Sequence, residues 1–199
     1  MRQLVRPLAK IPKNWNEFLR DSQNKIELFK FLSEQVRGMH IRGSKAVYAA
    51  CGTGVIKVRD GAAMTDCTHE EADTRVIVHL LHAVNAGIAT VLIKTGDTDV
   101  VIILCGQYHR ILQSSNIWIA FGSGKHQQTI NLGMIYHALG PKQCLSMPVF
   151  HALTGCDTTS AFRNKGKRMC VATLKKKPVV IGFTHKFGSE SFHTNHRRI

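Results

Sequence analysis

The sequence predicts an α/β fold with a mostly parallel central sheet flanked by helices, followed by a basic helical C-terminal part. One observation predicts this class, and two others concern the size and kind of domain. Short apolar segments alternate with longer segments of helical periodicity between residues 45 and 155. The chain has 199 residues, 44% of them hydrophobic, which suffices for a domain with a core. No apolar run reaches the roughly 18 residues that a membrane span requires, so we expect no membrane association.

The first predicted element is a helix over residues 14–37. Asn24, with Glu27 three residues later, is a capping pattern. An apolar face follows, and Gly38 is a typical stop.

The strongest helical pattern covers residues 68–87. Thr68 is suited to cap this helix, with Glu71 at the third position. A buried stripe follows, and Gly87 ends the helix. The stripe consists of Val76, Ile77, Leu80, Leu81 and Val84.

The remaining segments continue the alternation. Residues 98–107 fit either a strand or a helix by periodicity alone, and their position after a strand and a turn favours a helix. The other predicted elements are strands at 45–50, 55–58, 90–95 and 116–121, and helices at 130–140 and 148–155.

The net charge of +14 is concentrated at the two ends of the chain. Residues 1–45 carry +6 and residues 163–199 carry +9, whereas residues 46–162 carry −1. Basic arms around a near-neutral core suit a polyanion such as nucleic acid, although a generically basic soluble protein is an alternative. The predicted domains are a basic helical N-terminal segment at 1–43, an α/β core at 44–172 and a basic, poorly ordered tail at 173–199.

The six cysteines are widely spread and form no CxxC pair. This spacing argues against a structural zinc site and against a disulfide framework. The basic N-terminus has no apolar segment typical of a secretory signal. We therefore expect a reducing, intracellular compartment, with the nucleus as a candidate location.

Carboxylates are few and clustered. Of 13 acidic residues, six lie between residues 66 and 99, and Asp157 is the single acid from residue 100 to 189. Glu71 with Asp73, and Asp97 with Asp99, lie at helix starts or after a strand, where ligands sit in α/β sheets. Such carboxylates suit Mg²⁺ and two-metal phosphodiester cleavage. Taken singly, each cluster is equally typical of helix caps and helix-dipole partners.

Three ordered motifs carry a family resemblance. "EAD" at 71–73, "GDTD" at 96–99 and "TGCDTTSAF" at 154–162 resemble the acidic motifs of PIN-like nucleases, the flap endonuclease branch in particular. "NKGKRMCVA" at 164–172 is similar to that branch's glycine-rich helical hairpin. The resemblance covers about residues 66–172. The chain also resembles a group of multi-copy animal proteins with "HEEADTR", "DTDV" and "HALTGCDTTS", for which we hypothesise an origin in mobile elements.

The resemblance implies a Mg²⁺- or Mn²⁺-dependent nuclease in which metal-activated water attacks the phosphodiester, without a covalent enzyme intermediate. Asp97 and Asp99 would be the catalytic pair. The implied metal ligands are Glu71, Asp73, Asp97, Asp99 and Asp157. The implied supporting donors are Thr98, Thr158 and Thr159. The implied contacts to the nucleic-acid backbone are Lys165, Gly166, Lys167 and Arg168.

The chain departs from the family at its start, since PIN-like nucleases open with a strand that ends in a metal-binding aspartate. Neither Asp21 nor Asp60 follows such a strand, so we expect a PIN-like domain without its first strand. An inactive remnant that binds nucleic acid is therefore the main alternative.

Other chemistries find less support in the sequence. His79 and His82 lack a third metal ligand at matching spacing, and "GSGKHQ" lacks the spacing of a phosphate-binding P-loop. Cys156 is a candidate nucleophile without a fixed basic partner, and a buried thiol is the simpler interpretation. His69 and His151 lie near the acidic motifs and are candidates to approach the phosphate.

Overall fold

The computed structural model describes residues 5–43, 45–58, 64, 67, 72–111 and 115–156. Backbone contacts divide the chain into two compact units, Met1–Glu70 and Glu71–Ile199. The first unit contains helices α1 (Trp15–Phe18) and α2 (Ser22–Val36) and strands β1 (Val47–Cys51) and β2 (Gly54–Val58). The second contains helices α3 (Ala72–Asn85), α4 (Thr98–Gln107), α5 (Leu132–Leu139) and α6 (Pro141–Leu153), and strands β3 (Thr90–Thr95), β4 (Asn116–Phe121) and β5 (Gln128–Asn131).

Residues 14–37 are largely helical, as predicted, but they form two helices rather than one. The Asp21 carboxylate accepts hydrogen bonds from the backbone N–H groups of Gln23 and Asn24, at 3.0 and 3.4 Å, and so starts α2. Asn24 is therefore not the cap. It is fully buried inside the helix, and its side-chain amide donates to the carbonyl of Phe18 at 3.0 Å.

The two strands predicted around residues 51–54 are confirmed as an antiparallel hairpin. Cys51 pairs with Gly54, which leaves two residues in the turn, and Gly52 adopts a φ of +60°. Only glycine reaches that conformation without steric cost. The hydroxyl of Ser33 on α2 donates to the carbonyl of Ala50 at 3.1 Å, which attaches the hairpin to this helix.

The sheet of the second unit has the order β3-β4-β5. Strands β3 and β4 are parallel, and β5 is antiparallel to β4. The α/β class is confirmed, and among the described residues this sheet is mixed, with one parallel and one antiparallel pair, whereas a mostly parallel sheet was predicted. The reason is the connection over residues 122–127, which is too short for the crossover that a parallel neighbour requires.

Three of the helices follow the sequence pattern closely. Helix α4 occupies the segment that periodicity left ambiguous, and α5 lies inside its predicted span. Helix α3 ends as predicted: Gly87 has a φ of +77° and its N–H donates to the carbonyl of Val84 at 2.9 Å. The predicted capping residues Thr68 and Glu71 lie outside the described residues.

Helix α6 is longer than predicted, since it begins at Pro141 rather than at Pro148. Proline is well tolerated in the first turn of a helix, where its missing N–H has no partner anyway. Pro148 lies inside the helix instead, against α4. A Cβ atom on Gly106 would come within 2.6 Å of the Pro148 ring, so glycine permits the close approach of these helices.

The core of the second unit lies between the sheet and its helices. Leu104, Ile119 and Leu132 have no exposed surface. The stripe predicted for α3 packs into this core, with Ile77, Leu80 and Val84 buried and its two other members partly buried. The hydrophobic effect thus fixes α4 on the sheet, and with it the start of α4, where the two aspartates lie.

Candidate functional site

The candidate site begins where β3 ends. Asp97 is the N-cap of α4, and its Oδ1 accepts from the backbone N–H of Asp99 at 2.8 Å. The N–H of Asp97 donates to the Thr95 hydroxyl oxygen at 3.0 Å. Two short polar contacts therefore place both carboxylates at the rim between a strand and a helix, where solvent reaches them and the backbone is held rigidly.

The end of β4 lies beside the end of β3. The N–H of Gly122, the first residue after β4, donates to the carbonyl of Thr95 at 2.9 Å. The loop that follows carries Lys125, which is exposed. Because parallel strands end at the same edge of a sheet, Lys125 and the two aspartates belong to one edge. This edge is where α/β proteins bind their ligands.

His151, near the end of α6, contacts the site directly. Its ring Nε2 lies 2.7 Å from Oδ1 of Asp99. An ionised carboxylate can only accept, so the Nε2 atom of His151 carries the hydrogen and donates it. The His151 side chain is 10% exposed and that of Asp99 is 26% exposed. The pair is thus partly shielded from water, which favours a short, charge-assisted hydrogen bond.

In the sequence His151 lies near the acidic motifs, but nothing there identifies its partner. The two residues of the pair are 52 positions apart, and neither the spacing nor the periodicity of the sequence connects them. Their contact depends on how α4 and α6 pack. Whether His151 also approaches a phosphate stays a prediction.

The two aspartates supply the oxygen ligands that hard divalent cations prefer. Within the part of the chain that the structure describes, the second carboxylate oxygen of Asp97 and that of Asp99 have no hydrogen-bond partner. Mg²⁺ commonly takes one or two carboxylates from the protein and keeps several waters. Whether the pair holds such an ion stays a prediction.

The full predicted ligand set stays a prediction. Glu71 and Asp157 lie outside the described residues. Asp73 is half-buried in the first turn of α3. Among the described residues, no group of three or more His, Cys, Asp or Glu side chains is placed to hold a metal ion. Of the predicted ligands, the structure places Asp97 and Asp99 at the start of α4, and His151 contacts Asp99.

The predicted contacts to nucleic acid also lie outside the described residues. This applies to Lys165, Gly166, Lys167 and Arg168, to the hydroxyls of Thr158 and Thr159, and to the basic tail. Thr98, the third predicted supporting donor, is the first residue of α4 and is exposed. Its position between the two aspartates agrees with a supporting role, which stays a prediction.

Thiol chemistry finds little support in the second unit. Burial, and next the neighbouring Cys144 thiol, raise the pKa of Cys105 to about 12. Burial also raises the pKa of Cys144. A nucleophilic cysteine needs the opposite shift, toward the thiolate. These two thiols act as small apolar groups in the core, and the role of the partly buried Cys156 stays a prediction.

His79 and His82 lie half-buried on α3, and His79 gives a pH-dependent prediction. Burial lowers the pKa of His79 below its ordinary value of 6.5, and the charges of His82 and Arg75 lower it further. The unfolded chain therefore binds more protons than the folded one, so stability is lost as the pH falls from about 6.5 through the folded pKa. We expect His79→Gln to reduce this loss.

Urea unfolding between about pH 7 and pH 5 measures the effect. The exposed His126, changed to glutamine, is the matched control and should follow the wild-type pH profile. Equal profiles for wild type and His79→Gln would contradict the prediction.

Comparison with protein-family models, with curated proteins and with solved structures gives no significant match. Within the described part of the chain, none of the helices combines the length and the apolar character needed to cross a membrane. A functional proposal therefore depends on the sequence motifs and on the geometry of Asp97, Asp99 and His151.

Proposed function

We propose that this protein is a divalent-metal-dependent nuclease that hydrolyses phosphodiester bonds. The observation that carries the proposal is the carboxylate pair at the carboxyl end of β3. Asp97 and Asp99 are held by the start of α4, and each keeps one carboxylate oxygen without a partner among the described residues. Two such oxygens at a ligand-binding edge suit Mg²⁺ or Mn²⁺.

In this proposal Asp97 and Asp99 hold the metal. A bound Mg²⁺ or Mn²⁺ would supply an activated water and would stabilise negative charge on the phosphate. The chain's own contribution is positioning, because the cap of α4 and the ring of His151 fix the two carboxylates before substrate arrives. Lys125, at the same edge, offers a positive charge to a phosphate.

The acidic motifs support a PIN-like assignment for the second unit, which is part of the proposal. Glu71, Asp73 and Asp157 would complete the metal site. The strongly basic segment after residue 162 would bind the nucleic-acid backbone, because Lys and Arg side chains neutralise phosphates without reading sequence. An intracellular and nuclear location would agree with such a partner.

A second candidate function is nucleic-acid binding without catalysis. One observation favours it: among the described residues only two carboxylates come together, and no larger metal-binding group forms. A site with too few ligands would bind metal weakly, while the net charge of +14 would still attract nucleic acid. The two functions differ in whether phosphodiester bonds are broken.

The test is cleavage of labelled single-stranded and flapped DNA and RNA by the full chain. We expect cleavage with Mn²⁺ or Mg²⁺ and none with excess EDTA. Binding is measured in parallel by fluorescence anisotropy at several salt concentrations, since phosphate contacts weaken steeply with salt. Salt-sensitive binding without cleavage at any metal concentration would refute the nuclease and support the second candidate. Cleavage that persists in EDTA would refute the metal-dependent mechanism.

A further inference from the structure

The contact between His151 and Asp99 joins two helices at the candidate site. Asp99 lies in the first turn of α4, and His151 lies in the last turn of α6. The Nε2 hydrogen of the ring is donated to Oδ1 of Asp99 at 2.7 Å. This hydrogen bond restricts rotation of the carboxylate and so orients its other oxygen, Oδ2.

His151 is itself held firmly. The residue is 8% exposed. The hydroxyl of Thr154 donates to the carbonyl of Phe150 at 2.9 Å and to that of His151 at 3.3 Å, which closes the last turn of α6. Gly106, seven residues after Asp99 on α4, packs against Pro148, three residues before His151 on α6. A rigid donor of this kind can orient a carboxylate, whereas a mobile surface side chain cannot.

The same contact could merely join the two helices. Buried polar groups are normally hydrogen-bonded, and a histidine paired with an aspartate satisfies that rule in many cores. Two features indicate a role beyond joining the helices. Asp99 lies at the rim and keeps an oxygen without a described partner, and Asp97 with the same property is two residues away.

We propose that His151 is a positioning residue for Asp99: its ring holds Oδ1, so that Oδ2 is presented to a divalent cation. This inference rests on the proposed function, because it assumes that Asp97 and Asp99 hold the metal. Hydrogen-bond partners that orient metal ligands typically change metal affinity about 10- to 100-fold when they are removed. His151 needs no contact with the substrate to act in this way.

The test compares Mn²⁺ binding by wild type, His151→Leu and His151→Gln, with free Mn²⁺ counted by electron paramagnetic resonance. Leucine fills similar space without a donor, whereas the glutamine amide can donate near the position of Nε2. We expect the dissociation constant to rise about 10- to 100-fold in His151→Leu and to return most of the way in His151→Gln. His151→Met, flexible and also without a donor, replaces the leucine variant if that one does not fold.

The outcomes separate the two proposals. If wild type binds Mn²⁺ and Asp97→Asn weakens that binding, the metal occupies this site. Equal affinity in wild type and His151→Leu would then overturn the positioning role alone, even if His151→Leu unfolds at a lower temperature. Failure of the glutamine to restore affinity in a folded variant would also overturn it. If wild type binds no Mn²⁺, both the positioning role and the metal-dependent nuclease are overturned.

Discussion

Asp97→Asn is expected to lower metal-dependent cleavage by about 100-fold or more, the size of effect seen when one charge-stabilising group is removed from an active site. Asparagine keeps the oxygen that accepts from the N–H of Asp99 and is as good an N-cap as aspartate. The variant should therefore fold normally, with a stability change below about 1 kcal/mol. It removes the negative charge that a divalent cation requires. Initial cleavage rates at saturating Mn²⁺ measure the effect.

Asp21→Asn is the matched control for this prediction. Asp21 is also the N-cap of a helix, accepts from two backbone N–H groups and belongs to the first unit. The substitution is chemically the same and should leave cleavage unchanged. An Asp97→Asn protein that folds and cuts at the wild-type rate would show that the carboxylate pair is not the site.

The largest effect on stability is expected for Leu104→Ala. Leu104 has no exposed surface and lies on α4, within the core of the second unit. Truncation of a fully buried leucine costs about 2–5 kcal/mol, through lost burial and the cavity left behind. A typical domain is stable by only about 5–15 kcal/mol, so this change removes a large share. Urea unfolding measures it as a lower midpoint at a constant slope.

Leu92→Ala provides the control, because it removes the same atoms from a side chain that is 64% exposed on β3. Surface changes of this kind usually alter stability by less than about 0.5 kcal/mol. Similar losses for the two variants would mean that Leu104 is not in a packed core. If the second unit unfolds independently of the first, the loss should appear in that transition only.

The sequence predicted the elements best in segments that are rich in apolar residues. The strands at 90–95 and 116–121 and the helix at 98–107 match the structure in their bounds. Strand β5, "QTIN", was missed because four mostly polar residues carry no recognisable alternation. Strand β5 is defined by its antiparallel hydrogen bonds with β4 rather than by its own sequence. Its presence makes the sheet mixed rather than parallel.

The errors at the helix ends arise where two nearby residues are equally suited to start the same helix. Asp21 and Asn24 are both good caps, and the sequence does not tell which one stops the preceding helix. The Asn24 side chain tolerates burial because its amide donates a hydrogen bond to the carbonyl of Phe18. In α6, Pro148 resembled a helix start, although Pro141 already holds that position.

The candidate site was predicted in part. Asp97 and Asp99 stand out in the sequence because they interrupt an apolar region after a strand. The link from His151 to Asp99 depends on a helix–helix contact, which has no local signature in the sequence. The remaining predicted ligands and the nucleic-acid contacts Lys165, Gly166, Lys167 and Arg168 stay predictions.

The pairing of α4 with α6 limits which insertions and deletions the chain can accept. Asp99 meets His151, and seven residues further along α4 the close approach of Gly106 to Pro148 forms a second fixed point. One residue added to α4 between these points would rotate Asp99 by about 100° relative to Gly106. Both contacts could not then form together. We expect natural length variation in this protein to fall in its loops and to spare the ten residues of α4.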